Sequence, residues 1–256
     1  MQPSQRRLGW GAVYAFALAA SLLAPARGHA AAPETDHLRL KHIALRLAEH
    51  APLRIIAFGS SSTEGIGASS PAASYPSRLE AELRADLPSG EPVTVLNRGV
   101  GGEDADDMAR RLPQVIAEHP DLIIWQTGSN DPLRAVPLDR FVQETVAGVQ
   151  QIRAAHIDVM LMGPQLCRAL DDKPSTVRYR DALRAIGEGM DVPVIRRHDL
   201  MRRWLADRLV TPAQMFAPDG LHMADGGYAA LAHAVAADIL HRVESPRLAM
   251  GTPQHN

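Results

Sequence analysis

The sequence changes from an apolar run to small polar residues between positions 53 and 65, where it reads Leu53-Arg54-Ile55-Ile56-Ala57-Phe58-Gly59-Ser60-Ser61-Ser62-Thr63-Glu64-Gly65. The apolar part barely alternates between apolar and polar residues. Such a run is typical of a strand in a parallel sheet, because helices cover both faces of the sheet. The glycines and serines that follow are typical of the turn between a strand and a helix. This stretch therefore predicts the first strand and turn of an α/β fold.

Four further apolar runs follow at intervals along the chain, over residues 93–96, 122–126, 159–162 and 192–195. Between them, apolar residues spaced three or four apart predict helices in the regions 75–87, 104–118, 141–152, 183–190, 200–209 and 228–239. Pro113 is expected to kink or divide the helix over 104–118. The alternation of strands and helices predicts a three-layer α/β/α sandwich. Its core is a doubly wound, five-stranded parallel sheet in flavodoxin-like order.

The composition fits a single globular domain. The chain has 256 residues, of which 46 % are hydrophobic and 22 % are charged, as in an ordinary folded protein. The formal net charge of -2 gives no basic excess, which argues against nucleic acid as a partner. Cys167 is the single cysteine, so no internal disulfide can form, and we expect this side chain to be a small buried hydrophobe.

The first thirty residues have the three parts of a secretory signal. Arg6 and Arg7 precede an apolar run over 10–24, and Gly28-His29-Ala30 offers a cleavage site between small residues. We therefore expect a signal peptide over 1–30, used by the Sec or the twin-arginine route, and a periplasmic or secreted protein with no stable membrane insertion after cleavage. An uncleaved N-terminal anchor is the alternative.

The remaining chain divides at compositional changes rather than at an interdomain linker. We expect an N-terminal extension or helix over 31–50, one folded domain over 51–244 and a flexible tail over 245–256, which is polar and contains two prolines. The segments 65–74 and 165–175 are longer than a connection requires. Both follow predicted strands at their carboxyl ends, where doubly wound folds bind ligands, so they are candidate rims of a substrate cleft.

Polar residues that could carry chemistry follow the first three strands. Ser61 lies on the turn after the first strand, glycines at 99, 101 and 102 follow the second, and Asn130 follows the third. A serine there can present its hydroxyl, and a glycine N–H or an asparagine amide can donate to an anionic oxygen. Taken singly, each segment has another interpretation. The Ser61 segment also fits a phosphate-cradling or purely structural Gly/Ser turn, and the glycines after the second strand fit an ordinary Gly-rich turn. Asn130 could instead bond to local backbone.

Asp219 and His222 precede the last predicted helix, in the sequence Asp219-Gly220-Leu221-His222. An acid three residues before a histidine in a turn can accept from one ring nitrogen and leave the other free as a general base. A metal site is the rival interpretation, but no second histidine lies at ligand spacing and the chain has no cysteine cluster. Together the four segments supply a nucleophile, a base, its orienting acid and oxyanion donors, as acyl transfer requires.

These segments resemble the conserved blocks of the SGNH (GDSL-type) serine hydrolase superfamily, and the resemblance covers the whole chain after the predicted signal. The family's Gly-Asp-Ser block matches residues 59–61, although Ser60 replaces the aspartate and Ser62 replaces the apolar residue that follows. The Gly-x-Asn-Asp block matches 128–131, and the Asp-x-x-His block matches 219–222. The glycine block, which is the loosest match, places its donor on Gly102.

The resemblance implies ester hydrolysis without a metal or an organic cofactor. Ser61 would be the nucleophile, His222 the base and Asp219 its orienting acid, and the N–H groups of Ser61 and Gly102 with the Asn130 amide would form the oxyanion hole. The expected partner is a small-molecule or saccharide ester. Three functions stay open at this point: an esterase for short acyl groups, including acetyl groups on sugars; a lysophospholipase or thioesterase; and an O-acyltransferase or carbohydrate-binding protein that uses the same cleft.

Overall fold

The computed structural model describes residues 40–87, 90 and 92–244, so the predicted signal peptide and the predicted tail lie outside the described residues. The strands are β1 (Leu53–Gly59), β2 (Val93–Gly99), β3 (Leu122–Gln126), β4 (Asp158–Met162) and β5 (Val194–Ile195). The helices are α1 (Lys41–Ala48), α2 (Ser61–Glu64), α3 (Tyr75–Asp86), α4 (Ala105–Ile116), α5 (Asn130–Leu133), α6 (Leu138–Ala154), α7 (Arg168–Asp171), α8 (Thr176–Met190), α9 (Arg197–Ala206), α10 (Pro212–Met215) and α11 (Asp225–Glu244).

The five strands form one parallel sheet in the order β2-β1-β3-β4-β5, which confirms the predicted flavodoxin-like order. β1 lies between β2 and β3, with Ile55 opposite Val95 on one side and opposite Leu122 on the other. The chain changes its direction of winding after β2, so the carboxyl ends of β1 and β3 border a crevice. Ligands bind at such a switch point in doubly wound folds.

Two apolar cores, one on each face of the sheet, explain why the strands are apolar without alternation. On β3, Ile124 belongs to the core shared with α1, α3 and α11. Its neighbours Ile123 and Trp125 belong to the core shared with α4, α6 and α8. Because consecutive side chains of a strand point to opposite faces, both sets must be apolar. The predicted three-layer sandwich is thereby confirmed.

Two details depart from the sequence prediction. Residues 105–116 form one continuous helix, so Pro113 does not divide it, and of the two predicted outcomes only the kink stays a prediction. Pro113 lies in the last turn of α4, where its missing N–H removes only the hydrogen bond to the carbonyl of residue 109. β5 is only two residues long, because Pro193 lacks an N–H and contributes to the sheet only through its carbonyl, which accepts from Leu161.

The two predicted rim segments both contain short helical turns. Segment 65–74 includes a 3₁₀ turn over Pro71–Ala73, and segment 165–175 includes α7. Segment 65–74 follows β1 and α2, and segment 165–175 follows β4, so both begin at the carboxyl edge of the sheet. Within the described residues, no helix has both the length and the apolar character needed to cross a membrane.

Candidate active site

Ser61 lies where β1 turns into α2. Ser60 keeps an extended backbone, Ser61 is the first residue of the short helix, and Gly65 ends it with a φ of 104°. Gly59 must be a glycine, because a Cβ there would lie 2.4 Å from Thr63 Oγ1 and 2.8 Å from Gln126 Cβ. The tight approach of these groups sets the position of the turn and leaves the Ser61 side chain half-buried at the sheet edge.

His222 and Asp219 lie next to Ser61, although His222 is 161 residues away in sequence. The Ser61 hydroxyl is 2.8 Å from His222 Nε2, and His222 Nδ1 is 2.6 Å from Asp219 Oδ2. The histidine turn is fixed by a bridge between Phe216 and Met223 and by the left-handed Gly220, whose φ is 65°. The structure therefore brings these three predicted residues into one hydrogen-bonded chain.

The electrostatics of Asp219 assign the ring tautomer of His222. Partial burial would raise the pKa of Asp219, but hydrogen bonds from the backbone N–H and ring of His222 and from the N–H of Leu221 lower it to about 2. The ionised carboxylate can only accept, so Nδ1 carries the proton. Nε2 is then the acceptor for the Ser61 hydroxyl.

The environments of the three adjacent serines differ. The hydroxyl of Ser60 donates to Gln126 Oε1 at 3.1 Å, and its N–H donates to the same oxygen at 3.0 Å. Ser62 is buried, and its hydroxyl has no partner among the described residues. Ser61 is the member of the trio whose hydroxyl contacts His222.

The loop after β2 runs beside the Ser61 turn. The N–H of Val100 donates to the carbonyl of Gly59 at 3.0 Å, and a Cβ on Gly101 would lie 3.9 Å from Ser61 Cβ. Gly102 has a φ of 80°, a left-handed conformation that favours glycine. The predicted Gly102 thus lies in the loop that borders the nucleophile turn.

Asn130 begins α5 on the other side of this loop. Its Nδ2 donates to the carbonyl of Glu103 at 2.7 Å, so the amide bonds across to the loop after β2 rather than to its own turn. An amide group has two N–H donors, so one donor remains for a ligand. Four residues later, just after α5 ends, Arg134 Nη1 donates to the carbonyl of Gly102 at 3.2 Å, so α5 and the residue that follows it hold two successive carbonyls of the loop.

Behind the turn lies a buried polar network that the sequence analysis missed. Gln126 Nε2 donates to Ser129 Oγ at 3.2 Å, and Ser129 Oγ donates to Gln165 Oε1 at 3.0 Å. Gln165 Oε1 also accepts from Arg197 Nη2 at 2.8 Å, and Gln165 Nε2 donates to the carbonyl of Leu221 at 3.3 Å. The network ties the ends of β1, β3 and β4 to the His222 turn. A polar residue at the end of an apolar run, such as Gln126, was the available signal.

Other side chains near the site have structural contacts. Cys167 is buried, as predicted, and Arg98 forms an ion pair with Glu118 through hydrogen bonds of 2.7 and 2.6 Å. Over the ranges that the structure describes, no three His, Cys, Asp or Glu side chains come together as metal ligands would.

Similar folds occur among solved esterases. A two-domain esterase active on acetylated mannans superposes with a TM-score of 0.64 and 20 % identity, over 81 % of this chain and 54 % of that one. The chain thus spans about half of the length of that protein. A putative lipolytic protein of the G-D-S-L family from Desulfitobacterium hafniense gives a TM-score of 0.59 and 21 % identity, over 73 % of this chain and 98 % of that one. A catalytic mutant of an acetylxylan esterase from Geobacillus stearothermophilus gives a TM-score of 0.62 and 20 % identity, over 73 % of this chain and 94 % of that one.

Sequence comparison leads to the same superfamily. An arylesterase from Vibrio mimicus is 26 % identical over 150 residues, which are 58 % of this chain and 70 % of the relative. The resemblance to SGNH (GDSL-type) hydrolases is confirmed. The model of the Non-GDSL lipase-like family matches residues 29–245, which include the Ser61, Asn130 and His222 segments. The chain therefore belongs to the Non-GDSL lipase-like family.

Proposed function

We propose that this chain is a serine esterase, a carboxylic ester hydrolase in which Ser61 is the nucleophile, His222 the general base and Asp219 its orienting acid. The observation that carries the proposal is the continuous chain of contacts from Ser61 Oγ to His222 Nε2 at 2.8 Å and from His222 Nδ1 to Asp219 Oδ2 at 2.6 Å. This is the arrangement that activates a hydroxyl for acyl transfer. The esterases among the similar proteins support the same reaction class.

The reaction proceeds in two halves. Ser61 Oγ attacks the acyl carbon while its proton passes to His222 Nε2, and the imidazolium then donates that proton to the departing alcohol. Water next enters, gives a proton to Nε2 and attacks the acyl group on Ser61. Collapse of this second tetrahedral intermediate releases the acid and returns the proton to Ser61 Oγ. The Asp219 carboxylate stabilises the imidazolium in both halves without taking the proton.

The oxyanion that forms in each half would be held by the N–H groups of Ser61 and Gly102 and by the second N–H of the Asn130 amide. No hydrogen bond within the described part of the chain uses either of the two backbone N–H groups. One N–H of the Asn130 amide donates to Glu103, and the other has no partner among the described residues. One such donor lowers the barrier by roughly 3 kcal/mol in comparable hydrolases.

For the substrate, we propose short acyl groups, above all acetyl esters of saccharides. Among the solved proteins with similar folds, one is an esterase active on acetylated mannans and another is a mutant of an acetylxylan esterase. The exposed apolar side chains beside the Ser61 turn are Ile66 and Val100. They offer a small apolar surface, which is enough to contact a short acyl chain.

Substitution of Ser61 tests the reaction, with its neighbour as a matched control. Ser61→Ala is expected to abolish turnover of p-nitrophenyl acetate and labelling by a fluorophosphonate. Ser62→Ala should keep both, because its buried hydroxyl has no partner among the described residues. Turnover that survives in Ser61→Ala, or an adduct on another residue, would contradict the assignment.

A second measurement tests the substrate class. The rate with p-nitrophenyl esters is expected to fall as the acyl chain lengthens from acetyl, and acetylated mannan or xylan oligosaccharides should release free acetate. A rate that peaks with long acyl chains would favour a lipase or thioesterase. Transfer of acetyl to a sugar acceptor without net release would favour an O-acyltransferase.

A further inference from the structure

One cavity of the described structure is lined largely by arginines. It has a volume of about 160 Å³ and lies between the end of β4, the helix α8 and the first two turns of α9. Its basic lining residues are Arg180, Arg184, Arg196, Arg197, Arg202 and His198. Ser61, Gly102, Asn130, Asp219 and His222 do not line this cavity. Of its basic residues, Arg197 also belongs to the buried network behind the Ser61 turn, through Gln165.

The acidic residues around the cavity do not balance its arginines. Asp181 pairs with Arg184, and Asp199 lies 3.4 Å from Arg196; these are the acids that line the cavity. Arg180 pairs at 3.3 Å with Asp171 outside the lining. Arg202 is exposed and forms no ion pair or hydrogen bond with any described residue. The lining therefore has an excess of positive charge that nothing within the described part of the chain neutralises.

Arg197 is the most unusual member of this set, because it is fully buried without a carboxylate partner. Its Nε donates to the carbonyl of Gly163 at 3.1 Å and its Nη2 to Gln165 at 2.8 Å, whereas Nη1 has no partner among the described residues. Burial lowers the pKa of Arg197 to about 10, which leaves it charged near neutrality. Because Nη1 is itself shielded from solvent, an anion in the cavity would compensate the charge of Arg197 electrostatically and not through a hydrogen bond to Nη1.

The backbone at this place also favours an anion. α9 is ten residues long, and Arg196 at its N-cap supplies no side-chain hydrogen bond to the first turn. The N–H groups and the dipole at a helix N-terminus attract negative charge. This N-terminus directly follows β5 at the carboxyl edge of the sheet, which is where doubly wound folds place their ligands.

We propose that this cavity binds a doubly charged oxyanion, namely the phosphate group of a small molecule, at a site separate from Ser61. Guanidinium groups form paired hydrogen bonds with phosphate oxygens. The charge excess favours a dianion over a singly charged carboxylate. The volume of the cavity limits the part that is held to the phosphate group and a small substituent.

Calorimetric titration with inorganic phosphate at constant ionic strength tests the proposal. The wild-type chain is expected to bind one phosphate saturably and more tightly than acetate. Arg202→Gln should weaken that binding by at least about fivefold, since it removes a charge from the lining. Arg203→Gln is the matched control, because Arg203 is the exposed neighbour on the same helix and does not line the cavity. Both changes lie on the surface, so folding should persist.

A third variant separates this site from the proposed esterase site. Ser61→Ala should bind phosphate as the wild type does, whether or not the chain proves to be an esterase. Phosphate binding that is lost in Ser61→Ala would place the ion at the Gly/Ser turn and overturn the proposal. So would acetate that binds as tightly as phosphate, an equal effect of Arg202→Gln and Arg203→Gln, or the absence of saturable binding.

Discussion

At the scale of single residues, Asp219 shows how a surface turn can hold a charged group in place. Its Oδ1 accepts the N–H groups of Leu221 and His222, each at 2.9 Å, and its Oδ2 faces the imidazole at 2.6 Å. The turn that presents the histidine therefore also orients the acid. These bonds favour the charged form, which is why the pKa of Asp219 falls to about 2 although burial opposes the shift.

Asp219→Asn is expected to lower kcat for p-nitrophenyl acetate by about 10²- to 10⁴-fold with little change in KM, because the asparagine amide can donate to Nδ1 and stabilise the wrong tautomer. The pKa of about 2 in the folded chain lies below that of an ordinary carboxyl. Asp219 therefore stabilises the fold above pH ~4, and this contribution is lost only as the pH falls toward ~2.

The control for the kcat measurement is Asp207→Asn, because Asp207 is an exposed acid at the end of α9. Equal kcat values for Asp219→Asn and Asp207→Asn would show that Asp219 has no role in the reaction.

The pKa of Asp131 shifts in the opposite direction to that of Asp219, because Asp131 is fully buried. Burial raises the pKa of Asp131 to about 6, although its Oδ1 accepts the N–H of Ala105 at 3.0 Å, and its Oδ2 has no partner among the described residues. The folded chain therefore holds a proton that the unfolded chain releases between about pH 4 and pH 6. The favourable contribution of this proton is complete below about pH 4 and is lost as the pH rises through about 6.

Asp131→Asn should flatten this pH dependence. Relative to the wild type, the free energy of unfolding of the variant is expected to rise by about 2–3 kcal/mol between pH 4 and pH 7, as a two-unit shift implies. Urea unfolding at both pH values measures the difference. Parallel pH profiles for the two proteins would show that Asp131 titrates normally in the folded state.

At the scale of elements, the packing of α6 on the sheet depends on a residue without a side chain. A Cβ on Gly148 would lie 2.4 Å from the ring of Trp125 and 3.1 Å from Leu112 Cδ2. Trp125 is fully buried on β3, so it has no free space into which it could move. The glycine thus lets α6 approach the tryptophan while α4 contributes the leucine to the same contact.

Gly148→Ala is therefore expected to destabilise the fold by about 1–3 kcal/mol through overpacking, even though alanine is the better helix former. Gly189→Ala in α8 is the matched control, since its Cβ would meet nothing within 4 Å. That variant should be unchanged or more stable by about 0.5–1 kcal/mol. The free energies of unfolding of Gly148→Ala and Gly189→Ala, measured in urea, distinguish the two outcomes. If the two substitutions changed the free energy of unfolding equally, the contact with Trp125 would not be what requires a glycine at position 148.

At the scale of the whole molecule, the predictable features are those with local causes. Apolar runs with both faces covered revealed the strands, and the spacing from Asp219 to His222 revealed their pairing. The register of the 59–61 block predicted Ser61, but the contact that occupies Ser60 comes from Gln126, which is 66 residues away in sequence and could not be inferred locally. The contacts of Arg197 with Gly163 and Gln165 likewise join separate elements, so periodicity and motif spacing could not reveal them.

Export is the property of the whole chain that we propose and that remains to be measured. The predicted cleavage after Ala30 precedes both α1 at Lys41 and β1 at Leu53, so removal of residues 1–30 would leave every described element in place. Because Cys167 is the single cysteine, folding needs no disulfide and therefore no oxidising compartment.

We expect the exported protein from a Gram-negative host to begin at Ala31, as intact mass spectrometry of the periplasmic fraction would show. A variant without residues 1–30 should stay in the cytoplasm and keep full activity on p-nitrophenyl acetate. Replacing Arg6 and Arg7 with lysine distinguishes the two routes, because a Sec signal needs only positive charge whereas the twin-arginine route needs the arginine pair. Recovery of the full-length chain in the membrane fraction would instead identify residues 1–30 as an uncleaved anchor.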